Sequence, residues 1–293
     1  MKLITKLLFV FIFTFCLFAC SDDVSKDDDS AKTSEESDNQ TATKHDDESV
    51  ETMDVMDVIT EVQNQYESLF SQSATLYMLM EIVGGPEEGK IELDFTTDYV
   101  LATGEYYSKG FLIVESENQL METDLQSYQK MDAYYMKSSS FGEDWVVTPG
   151  SGGDPIMINI SDSLTSLSTL VDLVQIEEQN GKTYIYVSDV KFDSFDEFAG
   201  FFPQGQITID ESYEYTVQLD TLEFIVDTSS KKIEQLTFQM TLQSLSPDNV
   251  EETIAIQVEF VITDYNHVEE IVLPKEVLDS VDLNTDFPFP SAG

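Results

Sequence analysis

Residues 236–262 read LTFQMTLQSLSPDNVEETIAIQVEFVI, two alternating runs separated by a polar connection. Apolar residues fill every second position of both runs: Leu236, Phe238, Met240 and Leu242, then Ile254, Ile256, Val258, Phe260 and Ile262. Side chains on a β-strand point to opposite faces in turn, so each run predicts a strand with one apolar face. Runs of up to about ten residues suit a large, curved sheet.

Residues 207–226 show the same alternation, but their apolar side chains move from one face of the strand to the other partway along it. Apolar residues occupy odd positions from Ile207 to Leu219 and even positions from Leu222 to Val226. Because the side-chain period of a strand is two, this change near Asp220-Thr221 predicts a β-bulge or a bend.

Further strands are predicted along the rest of the chain. Alternation at 76–82 ends at Gly84-Gly85-Pro86, and a second alternating run covers 91–95. Hairpin-like connections between these segments indicate a mostly antiparallel sheet. Other apolar or aromatic segments bounded by turn-forming residues lie near 99–107, 111–116, 119–128, 132–137, 144–148, 174–178 and 183–190.

A few helices complete the pattern, and the fold class is therefore predicted as α+β. Apolar residues at helical spacing predict a helix at about 54–71. Similar spacing from Ile160 to Val174 predicts a second helix, with Ser161 or Asp162 as its N-cap. A short helix is predicted at 193–198. No second linker interrupts residues 53–293, which predicts one domain there.

The N-terminal segment resembles a bacterial lipoprotein signal. Lys2 and Lys6 precede a 13-residue apolar run, LLFVFIFTFCLFA, which is too short to span a membrane and fits the core of a signal peptide over residues 1–19. The run closes with LFAC at 17–20, which resembles a lipobox. The resemblance implies cleavage between Ala19 and Cys20, diacylglycerol on the Cys20 thiol, and an acyl chain such as palmitate on its amino group. The alternative is an ordinary secretory signal with an incidental cysteine.

The next segment is predicted to be a tether. Residues 21–52 read SDDVSKDDDSAKTSEESDNQTATKHDDESVET, rich in acids, Ser and Thr and nearly free of large apolar residues. Such a composition predicts a disordered, self-repelling linker, in which His45 is solvated. Together with the lipidated Cys20 it forms a unit at 20–52, whose two or more acyl chains would hold the protein stably on the membrane.

The overall charge excludes one class of partner. The chain has 57 acidic and 14 basic residues, a formal net charge of −43, and all its basic residues are lysine. A protein binds nucleic acid through Lys and Arg that neutralise phosphates. The composition therefore predicts no nucleic-acid partner.

Residues 53–293 also lack the side chains of common catalytic and metal sites. They contain no cysteine and one histidine, His267, which is predicted in a turn at a strand end. Zinc sites need clustered His and Cys, hydrolase triads accompany motifs such as G-x-S-x-G, and nucleotide loops are glycine-rich. None of these patterns is present, so we predict no catalytic residue, metal or cofactor, and no enzyme.

Three short stretches resemble a known superfamily. They are DAYYMK at 132–137 followed by GEDW at 142–145, FIVDTSSKK at 224–232, and VITDYN at 261–266 followed by IVLPKE at 271–276. In order and spacing they resemble the lipoprotein superfamily that includes the LolA/LolB carriers and the LppX/LprG proteins, particularly its Gram-positive members. The resemblance implies a half-barrel, a curved antiparallel sheet around helices, with an apolar cavity that holds acyl chains in characterised relatives.

Two functions follow as hypotheses. The first is a lipoprotein on the extracytoplasmic face of a Gram-positive cell membrane that binds a lipid or other hydrophobic ligand. Its candidate apolar residues are Phe111, Met121, Met131, Met136, Trp145 and Met157, which could equally fill the core under a sheet. The alternative is a non-catalytic interaction or sensor protein that contacts a membrane or cell-wall partner without a small ligand.

Overall fold

The computed structural model describes residues 54–84, 88–116, 119–130, 133–140, 144–149, 160–192, 214–247, 249–278 and 281–282. The predictions for the signal peptide (1–19), Cys20 and the tether (20–52), the short helix at 193–198, Met131 and Met157 lie outside these residues. Within the described part, a mostly antiparallel sheet with a few helices confirms the predicted α+β class.

The described strands form one twelve-stranded sheet in the order β12-β6-β5-β4-β3-β2-β1-β11-β10-β9-β8-β7. All pairs are antiparallel except β12–β6, and the β1–β11 pair joins the two halves of the chain. The strands are β1 Ser71–Gly84, β2 Gly89–Val100, β3 Glu105–Ser116, β4 Gln119–Lys130, β5 Ala133–Ser138, β6 Val146–Pro149, β7 Gln175–Gln179, β8 Lys182–Phe192, β9 Glu214–Asp227, β10 Ile233–Leu245, β11 Glu251–Tyr265 and β12 Val281–Asp282. The helices are α1 Val55–Glu67, α2 Ile160–Thr169 and the single turn α3 Lys275–Leu278.

The predicted change of face in β9 is a β-bulge. The register of β9 against β10 shifts by one residue between Gln239 and Met240, which leaves Asp220 of β9 unpaired with β10. The Asp220 carboxylate accepts a hydrogen bond from the Thr241 hydroxyl at 2.9 Å. The bulge keeps Leu219 and Leu222 on one buried face although they are three residues apart.

The two longer helices exist as predicted, but their ends differ. Asp54 caps α1 by accepting a hydrogen bond from the Met56 backbone N–H at 2.9 Å, and α1 ends at Glu67 rather than near residue 71. Helix α2 begins at Ile160, so the prediction of Ser161 or Asp162 as its N-cap is wrong. Helix α2 also ends at Thr169, where serine and threonine hydroxyls bond to backbone carbonyls of the preceding turn and compete with the helix.

Both longer helices lie against one face of the sheet. One continuous apolar cluster contains Val62 of α1, Leu164 of α2, Leu112 of β3 and Ile185 of β8. In keeping with the half-barrel-like fold, we call the face that carries the helices the concave face and the opposite face the convex face.

The segment after β11 crosses the convex face. We call residues 266–278 the C-terminal strap. Val100, Tyr128 and Trp145 of the sheet side form a second buried cluster with Ile271 and Val277 of the strap. The Tyr128 ring lies 5.4 Å from that of Trp145, and Tyr107 stacks on Tyr128 at 4.5 Å.

Polar contacts hold the start and the middle of the strap. Lys130 of β4 donates to the Ile271 carbonyl and forms an ion pair with Glu105 at 3.3 Å. At the start of the strap, the Asn266 side-chain oxygen accepts a hydrogen bond from the Phe70 backbone N–H at 2.7 Å. His267 follows as an exposed residue just after β11, so its predicted place at a strand end is confirmed. No helix in the described residues is long and apolar enough to cross a membrane.

Candidate functional site

The candidate apolar residues that the structure describes fall on both faces of the sheet. Met121 and Met136 occupy concave positions of β4 and β5. Phe111 points to the convex face and is 36% exposed, and Trp145 is buried beneath the strap. The parity of β3 and the packing of the strap therefore place Phe111 and Trp145 on the opposite face of the sheet from Met121 and Met136.

A row of tyrosines and glutamines crosses the concave face. Gln72, Tyr99, Tyr106, Gln129 and Tyr134 are successive cross-strand partners on β1, β2, β3, β4 and β5. We call these five residues the Tyr–Gln row. Four strand gaps make the row about 19 Å long. Tyr99 is half-buried and the other four side chains are buried, so this polar row belongs to the interior of the protein.

Short side chains lie beside the Tyr–Gln row. Two residues further along each strand, Ala74, Thr97, Ser108 and Ser127 are again cross-strand partners, and we call them the short-side-chain row. The hydroxyls of Thr97 and Ser108 are 2.9 Å apart and satisfy each other. On β3 the next concave position is Gly110, where a β-carbon would lie 1.9 Å from the Asp94 carbonyl oxygen.

Beyond the short-side-chain row the concave face becomes apolar. Met78, Leu93 and Leu112 form one row of partners, and Met80, Ile91, Val114 and Met121 form the next. The distance along β1 from Gln72 to Met80 is about 27 Å at 3.4 Å per residue. The concave face of β1–β3 thus passes from glutamine and tyrosine, across short side chains, to methionine, leucine, isoleucine and valine, while on β4 the row of Met78, Leu93 and Leu112 continues with Thr123.

This surface is also uncharged. In the described residues, no concave position of β1–β5 holds Asp, Glu or Lys. The convex positions of the same strands carry the charges, among them Lys90, Asp94, Lys109, Glu122 and Lys137. The concave face of β1–β5 is therefore neutral in the described residues, although the chain has a net charge of −43.

Gln72 has an unusual environment within the row. It is 1% exposed, and neither its side-chain oxygen nor its nitrogen has a hydrogen-bond partner among the described residues. A buried polar group left unpaired costs about 1–3 kcal/mol, so native proteins pair nearly all of them with protein, water or another bound group. Thr123 shows the usual arrangement, since its hydroxyl lies 2.9 Å from that of Ser138.

Gln72 also has a cross-strand partner on β11, which is Tyr265. The hydroxyl of Tyr265 bonds to the backbone rather than to Gln72. It donates to the Ile233 carbonyl. Burial above all, and then the neighbouring acidic groups Tyr66 and Glu234, raise the pKa of Tyr265 well above its ordinary value, which keeps this donor protonated. The ammonium group of Lys232 lies over the Tyr265 ring, 5.1 Å from its centroid. The hydroxyl of Tyr265 is therefore already used within the protein, and the Tyr–Gln row does not continue onto β11.

The helices are fixed relative to the other side of the sheet. Glu61 of α1 pairs at 3.6 Å with Lys231, which lies in the turn between β9 and β10. Gln63 of α1 donates to the Thr165 hydroxyl of α2 at 3.4 Å, which ties the two helices together. In the described residues, no group of three His, Cys, Asp or Glu side chains is placed to hold a metal ion.

The sequence did not reveal the Tyr–Gln row. Its five residues come from five different strands and share no local motif. The available signal was a polar residue at a strand position that points to the apolar face. Gln72 is such a residue, because it lies on the same face of β1 as Leu76, Met78 and Met80. That signal only becomes a site once the register between strands is known.

Residues 54–282 match the family described as "Family of unknown function (DUF6612)". Among solved structures, the chain is similar to a DUF1329 family protein from Desulfovibrio piger ATCC 29098, at 12% identity over 75% of this chain and 96% of that one, with a TM-score of 0.25. It is also similar to a beta-barrel-like protein of the domain of unknown function DUF1849 from Brucella abortus, at 8% identity over 67% of this chain and 99% of that one, with a TM-score of 0.22. No curated protein matches the chain.

Proposed function

Because this chain belongs to the DUF6612 family, whose function is unknown, we propose its function from its own geometry: it binds a lipid or another hydrophobic ligand against the concave face of the sheet. One observation carries the proposal. The concave face of β1–β5 places apolar rows beside a short-side-chain row and an uncharged polar row. A ligand with a hydrocarbon part and a polar part matches this gradient, since binding sites are mostly apolar with a few placed polar groups.

A purely structural core would look different. Interiors are packed to nearly constant density, and large side chains normally fill the space between a sheet and its helices. Here Ala74, Thr97, Ser108, Ser127 and Gly110 form a contiguous region of short side chains between larger ones. Met136 borders it as the cross-strand partner of Ser127, and methionine adapts to irregular apolar ligands.

The rest of the proposal rests on the sequence. The lipobox-like LFAC at 17–20 supports cleavage after Ala19 and lipidation of Cys20, which would hold the protein on the extracytoplasmic face of a Gram-positive cell membrane. The resemblance to the LolA/LolB and LppX/LprG superfamily supports a non-catalytic, ligand-binding role without a cofactor. Membrane lipids are then the hydrophobic molecules nearest to the concave face.

Native mass spectrometry tests the binding function. The full mature lipoprotein is purified in detergent, released from micelles in the gas phase, and its mass is compared with that of the chain plus its covalent anchor. We expect additional non-covalent mass that lipid extraction identifies. Only the anchored mass, together with no uptake of added amphiphiles, would contradict the proposal.

Two adjacent threonines provide a matched pair of variants. Thr97 lies in the short-side-chain row, whereas Thr96 is exposed on the convex face of the same strand. Thr97→Leu fills the space that the ligand needs and should abolish the additional mass. Thr96→Leu makes the same chemical change on the other face and should leave it unchanged.

A further inference from the structure

We infer that the polar part of the ligand is uncharged and that Gln72 recognises it through paired hydrogen bonds. This inference rests on the proposed function and adds the chemical class of the ligand. The class is an amphiphile whose head group carries hydroxyl or amide functions, as in a neutral glycerolipid or a glycolipid, and not a phosphate or a carboxylate.

The hydrogen-bonding capacity of Gln72 is the first argument. Its buried amide offers one acceptor oxygen and an NH₂ donor, and neither has a partner among the described residues. A hydroxyl or an amide can donate to the oxygen and accept from the nitrogen at the same time. An ionised carboxylate or phosphodiester only accepts, so it would leave the Gln72 oxygen unpaired and facing negative charge.

The charge distribution is the second argument. Moving a charged head group out of water costs several kcal/mol unless a buried counter-charge compensates it. The concave positions of β1–β5 offer neither lysine for an anion nor carboxylate for an ammonium group. The buried Glu252 pairs with Gly84 at the far end of β1, about 40 Å along the strand from Gln72.

The other members of the row suit the same class. Tyr99, Tyr106 and Tyr134 present phenol groups, and Gln129 presents a second amide, along the same line of cross-strand partners. Phenols and amides form hydrogen bonds without net charge, and aromatic rings give amphipathic contact surface. A head group with several hydroxyls fits a row of this composition better than a single compact charge does.

Lys232 is the cation that could contradict this assignment. Its ammonium group lies over the Tyr265 ring, one strand beyond Gln72. If an anionic head group were the natural ligand, Lys232 would be the side chain to hold it. The experiment therefore includes Lys232→Gln.

The test compares three amphiphiles with the same oleoyl chain: monooleoylglycerol, which is neutral, oleate, which is anionic, and oleylamine, which is cationic. Binding to the full mature protein is measured by native mass spectrometry titration. Two net hydrogen bonds of about 0.5–1.5 kcal/mol each should favour monooleoylglycerol by roughly fivefold to 150-fold. Gln72→Leu should remove this preference and retain binding of the chain.

The control variant is Gln126→Leu, because Gln126 lies on the convex face of β4. It should keep the preference of the wild-type protein. Equal binding of all three amphiphiles by the wild-type protein would overturn the inference while the proposed function stands. Preference for oleate that disappears in Lys232→Gln would overturn it in favour of an anionic ligand. Binding of none of the three would count against the proposed function itself.

Discussion

Substituting Gln72 by leucine should stabilise the ligand-free protein, although most substitutions of buried residues destabilise. Leucine keeps a similar volume and removes two polar atoms that lack partners in the described residues. Each unpaired buried group costs about 1–3 kcal/mol, and the substitution removes two of them. Imperfect packing of leucine offsets part of this gain, so the free energy of unfolding should rise by about 1–3 kcal/mol. A structural glutamine with good partners would give the opposite sign.

The gain in the free energy of unfolding of Gln72→Leu should shrink or disappear when a neutral amphiphile is bound. A ligand that binds only the folded state stabilises it in proportion to the logarithm of its concentration over its dissociation constant. If Gln72→Leu weakens monooleoylglycerol tenfold, the wild-type protein gains about 1.4 kcal/mol more than the variant at saturation. The difference between the two proteins therefore shrinks or reverses with ligand.

Urea denaturation of delipidated protein, with and without monooleoylglycerol, measures both effects. Gln126→Leu on the convex face is the control and should change the free energy of unfolding by no more than about 0.5 kcal/mol in either condition. Destabilisation of the delipidated Gln72→Leu protein by more than about 1 kcal/mol would refute the reasoning, because it would show that the amide already has its partners.

Three further predictions concern the strap, one turn and the anchor. Ile271→Ala should lower the free energy of unfolding by about 2–5 kcal/mol and shift the emission of Trp145 to longer wavelength, whereas Val272→Ala, at an exposed neighbour, should do neither. Hydrogen bonds from the Ser230 backbone and from the Ser229 and Ser230 hydroxyls hold the pKa of Asp227 well below its usual range. The contribution of Asp227 to the free energy of unfolding is therefore present above about pH 4 and is lost as the pH falls further. When the free energy of unfolding is measured by denaturation at a series of pH values, Asp227→Asn should show a smaller loss of stability in acid than the wild-type protein. Cys20→Ala should block processing or release the protein into the medium, and Cys16→Ala should leave membrane fractionation unchanged; the reverse result would remove the lipobox interpretation.

The sequence predicted the elements that have a regular period. The alternation at 236–242 and 254–262 corresponds to β10 and β11, and the change of parity near Asp220 corresponds to the bulge in β9. These predictions were correct because a strand that buries one face has an apolar residue at every second position. Helix ends were less predictable, since serine and threonine hydroxyls in α2 compete for its backbone carbonyls.

The candidate site depends on information that a local pattern does not contain. Gln72 and Tyr134 share a row only because four successive strand pairings each have one particular register. The place of Trp145 was not predictable for a related reason: its burial comes from the strap, whose apolar residues Ile271 and Val277 follow no helical or strand period. Long-range register and irregular packing decide which side chains meet.

Photo-crosslinking tests the central claim, binding on the concave face, most directly. A monoacylglycerol with a diazirine in its acyl chain is bound to the full mature protein and irradiated, and the modified residues are mapped by mass spectrometry. Modification should fall on concave residues such as Met78, Leu112 and Met121, and Thr97→Leu should suppress it. Modification confined to convex residues such as Phe111 and Leu120, with no effect of Thr97→Leu, would contradict the account.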